Sequence, residues 1–204
     1  MTRECRRRTG LRPRPGGFTL VEALAAITVT AIAGSVLLLG FSSAANATQD
    51  AVQETIAQGI ADQLADEVVG GRYMAVGTTP YQVSLGPSAW ERSAGTRERF
   101  DDVDDFHGIT AQPPEDPWGV ALGIDDQSGG ERHPAFRIAE GYLDRWREEI
   151  RVYYVDPTDL TTPLRPGLVS DYRAVEVAVF RDRPDGGSRE LARVRRVVAY
   201  VPSL

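Results

Sequence analysis

Hydrophobic and polar positions divide this chain into four stretches. From Phe18 to Gln49 nearly every residue is apolar or small, and Glu22 is the single charge. That run exceeds the ~20 apolar residues a helix needs to cross a bilayer. From Asp50 the pattern becomes amphipathic: Val52, Ile56, Ile60, Leu64 and Val68 recur every four residues beside Ala57, Ala61 and Ala65, with acids and glutamines between them. This spacing predicts a helix with one buried stripe, stopped by Gly70-Gly71. A continuous helix from Phe18 to Gly70 would span ~80 Å, its first half protruding and its second half packed on a head. Gly34 and Gly40 are the positions where its first half could bend or melt.

Residues 72–141 are rich in Pro, Gly and Asp, and read as a long connection of the kind that forms interfaces. Tyr81–Leu85 alternates as a short strand would. Tyr142–Arg147 reads as a helical turn or the start of the next strand. Clear strand signals follow at Glu149–Val155, Tyr172–Phe180 and Leu191–Val201. The last two are joined by a hairpin loop, Arg181–Ser188, turning at Asp185-Gly186. Two-faced strands need a cover, and the amphipathic helix supplies it. The expected fold is therefore α+β: a long N-terminal helix whose C-terminal half packs on a small antiparallel sheet of three to five strands.

Charge adds a direction. All 23 basic residues are arginine. Six of them precede Phe18 against Glu4 alone, giving +5, while the remaining 17 face 28 acids, giving −11. Basic residues before the apolar run and acids after it predict a cytoplasmic N-terminus and an exported head. The acidic balance excludes nucleic acid as a partner. Cys5 is the only cysteine, so no disulfide can form within the chain, and no apolar stretch precedes it to make a lipoprotein signal. A secretory signal peptide would have a shorter apolar core, although Ala44-Ala45-Asn46-Ala47 offers small residues for a cut. A plain anchor would not retain Glu22, since a carboxylate costs about 2.5–3.5 kcal/mol near the centre of a span.

Gly16-Gly17-Phe18-Thr19-Leu20-Val21-Glu22 resembles the processing motif of type IV prepilins and type II secretion pseudopilins. The resemblance covers about the first quarter of the chain. It implies that residues 1–17 are a cleaved basic leader, that a membrane prepilin peptidase cuts between Gly17 and Phe18, and that the same enzyme N-methylates Phe18. Residues 18–49 become the transmembrane and filament-core helix, 50–71 its amphipathic half and 72–204 a pilin head. Glu22 becomes the assembly charge: it lies one helical turn from the new amine and can neutralise that amine or a neighbour's. The implied partners are other pilin or pseudopilin subunits, the peptidase/methyltransferase and an inner-membrane assembly platform. The filament would then be periplasmic or at the cell surface. Lack of a head cysteine pair leans towards a minor pilin or pseudopilin.

Arg99–Gly108 (RFDDVDDFHG) resembles a stretch of minor pilins of the mannose-sensitive haemagglutinin type. Asp101, Asp102, Asp104 and Asp105 must be solvated, paired with arginine or bound to a cation. Calcium is the hard-ion candidate, since it takes six to eight oxygens, though the spacing is not an EF-hand's. The plainer reading is an acidic turn between two core anchors, Phe100 and Phe106, with Arg97 and Arg99 as counter-ions. No other cofactor is expected. His107 and His133 lack zinc spacing, no nucleophile elbow or phosphate loop occurs, and Trp90, Trp118 and Trp146 read as anchors of the connection to the sheet. The chain reads as a structural subunit and not an enzyme. The competing reading is an exported binding module or enzyme held on a simple membrane anchor.

Overall fold

The computed structural model describes residues 16–202. Most of the predicted leader, residues 1–15, lies outside the described residues. The chain forms two compact units, one ending at Gln49 and the other beginning at Asp50. One helix, α1, runs Leu20–Gly70 through both.

In the first unit α1 stays helical across Gly34 and Gly40. Its large apolar side chains, among them Leu24, Ile27, Ile32, Val36 and Leu37, are exposed among the described residues. Its hydroxyls turn back onto the helix: Thr28 Oγ1 donates to Leu24 O at 2.8 Å, Thr30 Oγ1 to Ala26 O at 2.7 Å and Ser42 Oγ to Leu38 O at 2.8 Å. Such back-bonds satisfy the hydroxyl hydrogens without water, which suits an apolar surrounding. This segment is long and apolar enough to cross a membrane.

The second unit layers α1 from Asp50 onward on an antiparallel sheet. After α1 come a short helix α2 (Ala89–Arg92) and the strands β1 (Ile109–Ala111), β2 (Trp146–Tyr154), β3 (Tyr172–Asp182) and β4 (Ser188–Ala199). They pair in the order β1-β2-β3-β4, all antiparallel. Glycine at position 186, with φ 85°, makes the predicted β3–β4 turn. Alternation along β2 aims Trp146, Glu148, Ile150, Val152 and Tyr154 inward. They meet the helix stripe of Ala57, Ile60, Ala61, Leu64, Ala65 and Val68 together with Val175, Val177 and Val179 of β3. The alanines Ala57, Ala61 and Ala65 are fully buried in this layer, and each fully buried Val or Leu contributes roughly 1.5–3 kcal/mol.

Four expectations change. The stripe starts later than the spacing suggested: Val52 and Ile56 are 50% and 36% exposed, while Gln53 is buried because Arg181 Nη1 donates to its Oε1 at 2.7 Å. Tyr81–Leu85 is not a strand: Tyr81 and Val83 are exposed, and the carbonyls of Pro80 and Gln82 accept from Tyr154 Oη at 2.9 Å and 3.0 Å. The strand within the connection is β1 instead, too short for periodicity to reveal. Of the three tryptophans only Trp146 is core; Trp90 and Trp118 are 65% and 40% exposed.

Candidate functional site

Two places concentrate the residues singled out by the sequence. The first is the start of α1. Thr19 precedes the first helical residue, and its N and Oγ1 both donate to Glu22 Oε2 at 2.9 Å, while Glu22 N donates to Thr19 Oγ1 at 3.2 Å. This is a reciprocal capping box, which satisfies otherwise orphaned donors of the first turn. It also sets a negative charge where the helix dipole favours one. Phe18 is exposed, and Gly16 and Gly17 have open space where a Cβ would stand. Gly17 and Phe18 lie in the non-helical segment just before α1, and Glu22 lies in its first turn. Thr19 was missed as a partner for Glu22, although the spacing T-x-x-E carries that signal.

The second place is the acidic turn in the head. A 3-10 turn spans Val103–Phe106, and Asp102 caps it, accepting from Asp104 N at 2.8 Å and Asp105 N at 3.4 Å. Asp105 Oδ2 reaches back to Asp101 N at 3.0 Å and Asp102 N at 3.3 Å. Asp104 also turns to a cation: its Oδ1 meets Arg173 Nη1 at 2.8 Å, both side chains buried. Arg173 also donates to Tyr73 O at 2.6 Å, Pro80 O at 3.1 Å and Tyr154 Oη at 3.0 Å. Its guanidinium lies 4.4 Å from the Tyr73 ring centroid and 5.1 Å from that of Tyr154. Burial, then the hydrogen bond and charge of Asp104, push the Asp102 carboxyl up to about 7. Burial chiefly pushes Asp105 up to about 6.

Of the four candidate calcium ligands the structure brings together two. Asp101 and Asp105 offer oxygens within 4.8 Å of each other and of one from Glu91. Asp102 and Asp104 are engaged by the turn and by Arg173. Phe100 and Phe106 do anchor the turn, ring centroids 5.1 Å apart and edge to face. The expected counter-ions differ. Arg97 points away to Glu67 at 3.1 Å and Glu148 at 3.0 Å, and Arg99 bonds Trp90 O and Ser93. The actual cations are Arg173 and, at 3.8 Å, Arg72. The turn is tied to the end of α1 as well, with Val103 N donating to Arg72 O at 2.8 Å. His107 Nδ1 accepts from Val152 N at 3.2 Å, and His133 Nδ1 accepts from Ala135 N at 3.2 Å; both act as local backbone acceptors.

The buried network of Glu67, Arg97 and Glu148 carried no sequence signal. Glu148 sits on β2 with no exposure, and its Oε2 has no partner among the described residues. Burial pushes its carboxyl up to about 8, against the pull of Arg97.

A capped apolar helix with a single charge and a helix-on-sheet head make a pilin-like α+β layout. Residues 12–38 match the model of the prokaryotic N-terminal methylation motif. That match, over 27 of 204 residues, supports a type IV prepilin-like N-terminus. No curated protein and no solved structure matches the chain. The likeness of residues 99–108 to mannose-sensitive haemagglutinin-type minor pilins gains no support, because the family match ends at residue 38.

Proposed function

We propose that this chain is a minor pilin or pseudopilin, a structural subunit of a type IV pilus or a type II secretion-like filament. The carrying observation is the methylation-motif match over residues 12–38, with Glu22 as the only charge in the apolar run. Residues 1–17 are the leader. Prepilin peptidase cuts after Gly17, where no side chain obstructs the scissile bond, and methylates Phe18. The subunit waits in the inner membrane with its N-terminus cytoplasmic and its head exported. An assembly platform then extracts it into the filament, where residues 18–49 form the core.

Glu22 supports this reading by its chemistry. A charge in a low-dielectric layer is retained where it has a partner. In the precursor that partner is Thr19. Once cleavage creates a cationic amine at Phe18, a far stronger electrostatic partner exists, on the same chain or on a neighbour. Thr19 then keeps the carboxylate oriented towards the helix start while the amine neutralises it. Glu22→Ala should leave cleavage largely intact and reduce recovery of the subunit in sheared filaments. Wild-type recovery of that variant would remove Glu22 from the assembly role.

A further inference from the structure

One cavity of the head is lined by acids and by no cation. Gln63, Asp66 and Glu67 of α1, the turn Asp116-Pro117-Trp118 and Gln127 border an open space of about 570 Å³. Arg97 neutralises Glu67 from behind, its Nε and Nη2 each 3.1 Å from a carboxylate oxygen. Asp66 and Asp116 form no ion pair among the described residues. Asp66 is exposed, whereas Asp116 is only 2% exposed. Asp116 Oδ1 accepts from Trp118 N at 2.9 Å and Val120 N at 2.8 Å, which fixes the turn. Its Oδ2 is buried and has no partner among the described residues. A buried carboxylate oxygen without a donor costs more than an ordinary hydrogen bond contributes. Trp118 adds an aromatic wall. It is 40% exposed, and a Cβ at position 129 would stand 3.1 Å from its Cγ, so the indole leans on Gly129 beside the cavity.

Acids beside an aromatic wall select the chemistry of a ligand. Among the described residues the carboxylates that converge within 4.8 Å are those of Glu91, Asp101 and Asp105, so the acids of this cavity stand too far apart to share a metal ion. A planar cation rich in N–H donors fits instead. A guanidinium stacks on an aromatic ring and bonds carboxylates through its fork. We propose that this cavity receives a guanidinium group, the arginine side chain of a neighbouring filament subunit. There it donates to Asp116 Oδ2, lies along Trp118 and is balanced by Asp66. The neighbouring subunit as source rests on the filament reading proposed above; the guanidinium site does not.

The test titrates the full chain in neutral detergent with acetyl-arginine methylamide, acetyl-lysine methylamide or acetyl-norleucine methylamide, read by saturation-transfer NMR. The arginine compound should bind, the lysine compound more weakly and the norleucine compound not at all. Asp116→Asn keeps Oδ1 as the acceptor of the turn and removes the charge, and should weaken arginine binding about tenfold or more. Trp118→Leu should weaken it about two- to fivefold. Asp66→Asn, at an exposed position, removes charge without touching the turn and should weaken binding as well. Glu140→Gln, an equal charge change at an exposed residue outside the cavity, should bind as wild type does. Equal binding of the arginine and norleucine compounds, or wild-type affinity in both Asp66→Asn and Trp118→Leu, overturns the site. Sheared filaments test the source separately. Asp66→Asn/Trp118→Leu should be recovered several-fold less than wild type, and Glu140→Gln equally. Wild-type recovery of the double variant overturns the neighbouring subunit as source. Absence of the wild-type chain from filaments sinks the filament reading, and the titration alone then decides the site.

Discussion

Replacing Arg173 with methionine is the most informative perturbation of the head. Methionine keeps an unbranched apolar stem and removes the charge and donors of the guanidinium. Asp104 then loses its cation at 2.8 Å while its side chain stays almost fully buried. The carbonyls of Tyr73 and Pro80 and the Tyr154 hydroxyl lose a donor as well. Breaking a buried ion pair from one side costs about 3–5 kcal/mol, because the remaining charge is left uncompensated. Unit and total stability compare unfavourably with that: a domain has about 5–15 kcal/mol in all. At about 2–4 °C per kcal/mol for a unit of this size, a loss near 4 kcal/mol lowers Tm by roughly 8–16 °C. Near-UV circular dichroism of the full chain in neutral detergent reads this through buried Trp146 and Tyr154. Removing both charges in Arg173→Met/Asp104→Leu should recover much of the loss, since an apolar replacement of a whole buried pair is often neutral. A single variant within about 1 kcal/mol of wild type, or a double variant no better than the single, would refute the account.

Two further predictions concern the same core. Glu148, Asp102 and Asp105 all have folded-state pKa values raised above their ordinary ones, to about 8, about 7 and about 6. The folded state therefore holds more protons than the unfolded state between about pH 4 and pH 8, and stability falls as pH rises through that window. Chemical unfolding at a series of pH values should show the fall. Glu148→Gln, which keeps an acceptor for Arg97, should flatten its upper end; an unchanged profile in that variant would contradict the assigned cause. Trp146→Ala removes the largest fully buried side chain of the core and should cost about 3–5 kcal/mol by denaturant unfolding, whereas Trp90→Ala, at an exposed position, should cost little.

The layers of the fold were legible because they rest on period. An apolar run with a single charge, a four-residue stripe and three Val-rich alternations specify a helix on a sheet, and β2, β3 and β4 lie within a few residues of their expected places. The Glu22 site was legible because one charge stands alone in an apolar field. Its tie to Thr19 was equally local and could have been read from the T-x-x-E spacing. The acidic turn was visible but its partners were not. Arg173 lies 69 residues from Asp104 and sits within a strand pattern that reads as an ordinary exposed arginine. Glu148 likewise alternates with Arg147 and Glu149, and nothing in a run of charged residues says which one faces the core. Charge pairing between distant elements depends on strand register, and register is set by the whole sheet. The acidic cavity was no more legible: its walls meet only once the connection folds against α1.

The central claim is that residues 1–17 are a leader removed by prepilin peptidase to free Phe18 for assembly. Intact-mass and N-terminal fragment analysis of the chain, recovered from membranes of cells with an active prepilin peptidase, tests it most directly. The account predicts a mature chain beginning at N-methylated Phe18. A chain that keeps its leader in those cells, or one that begins near Asn46 or Ala47, would contradict it.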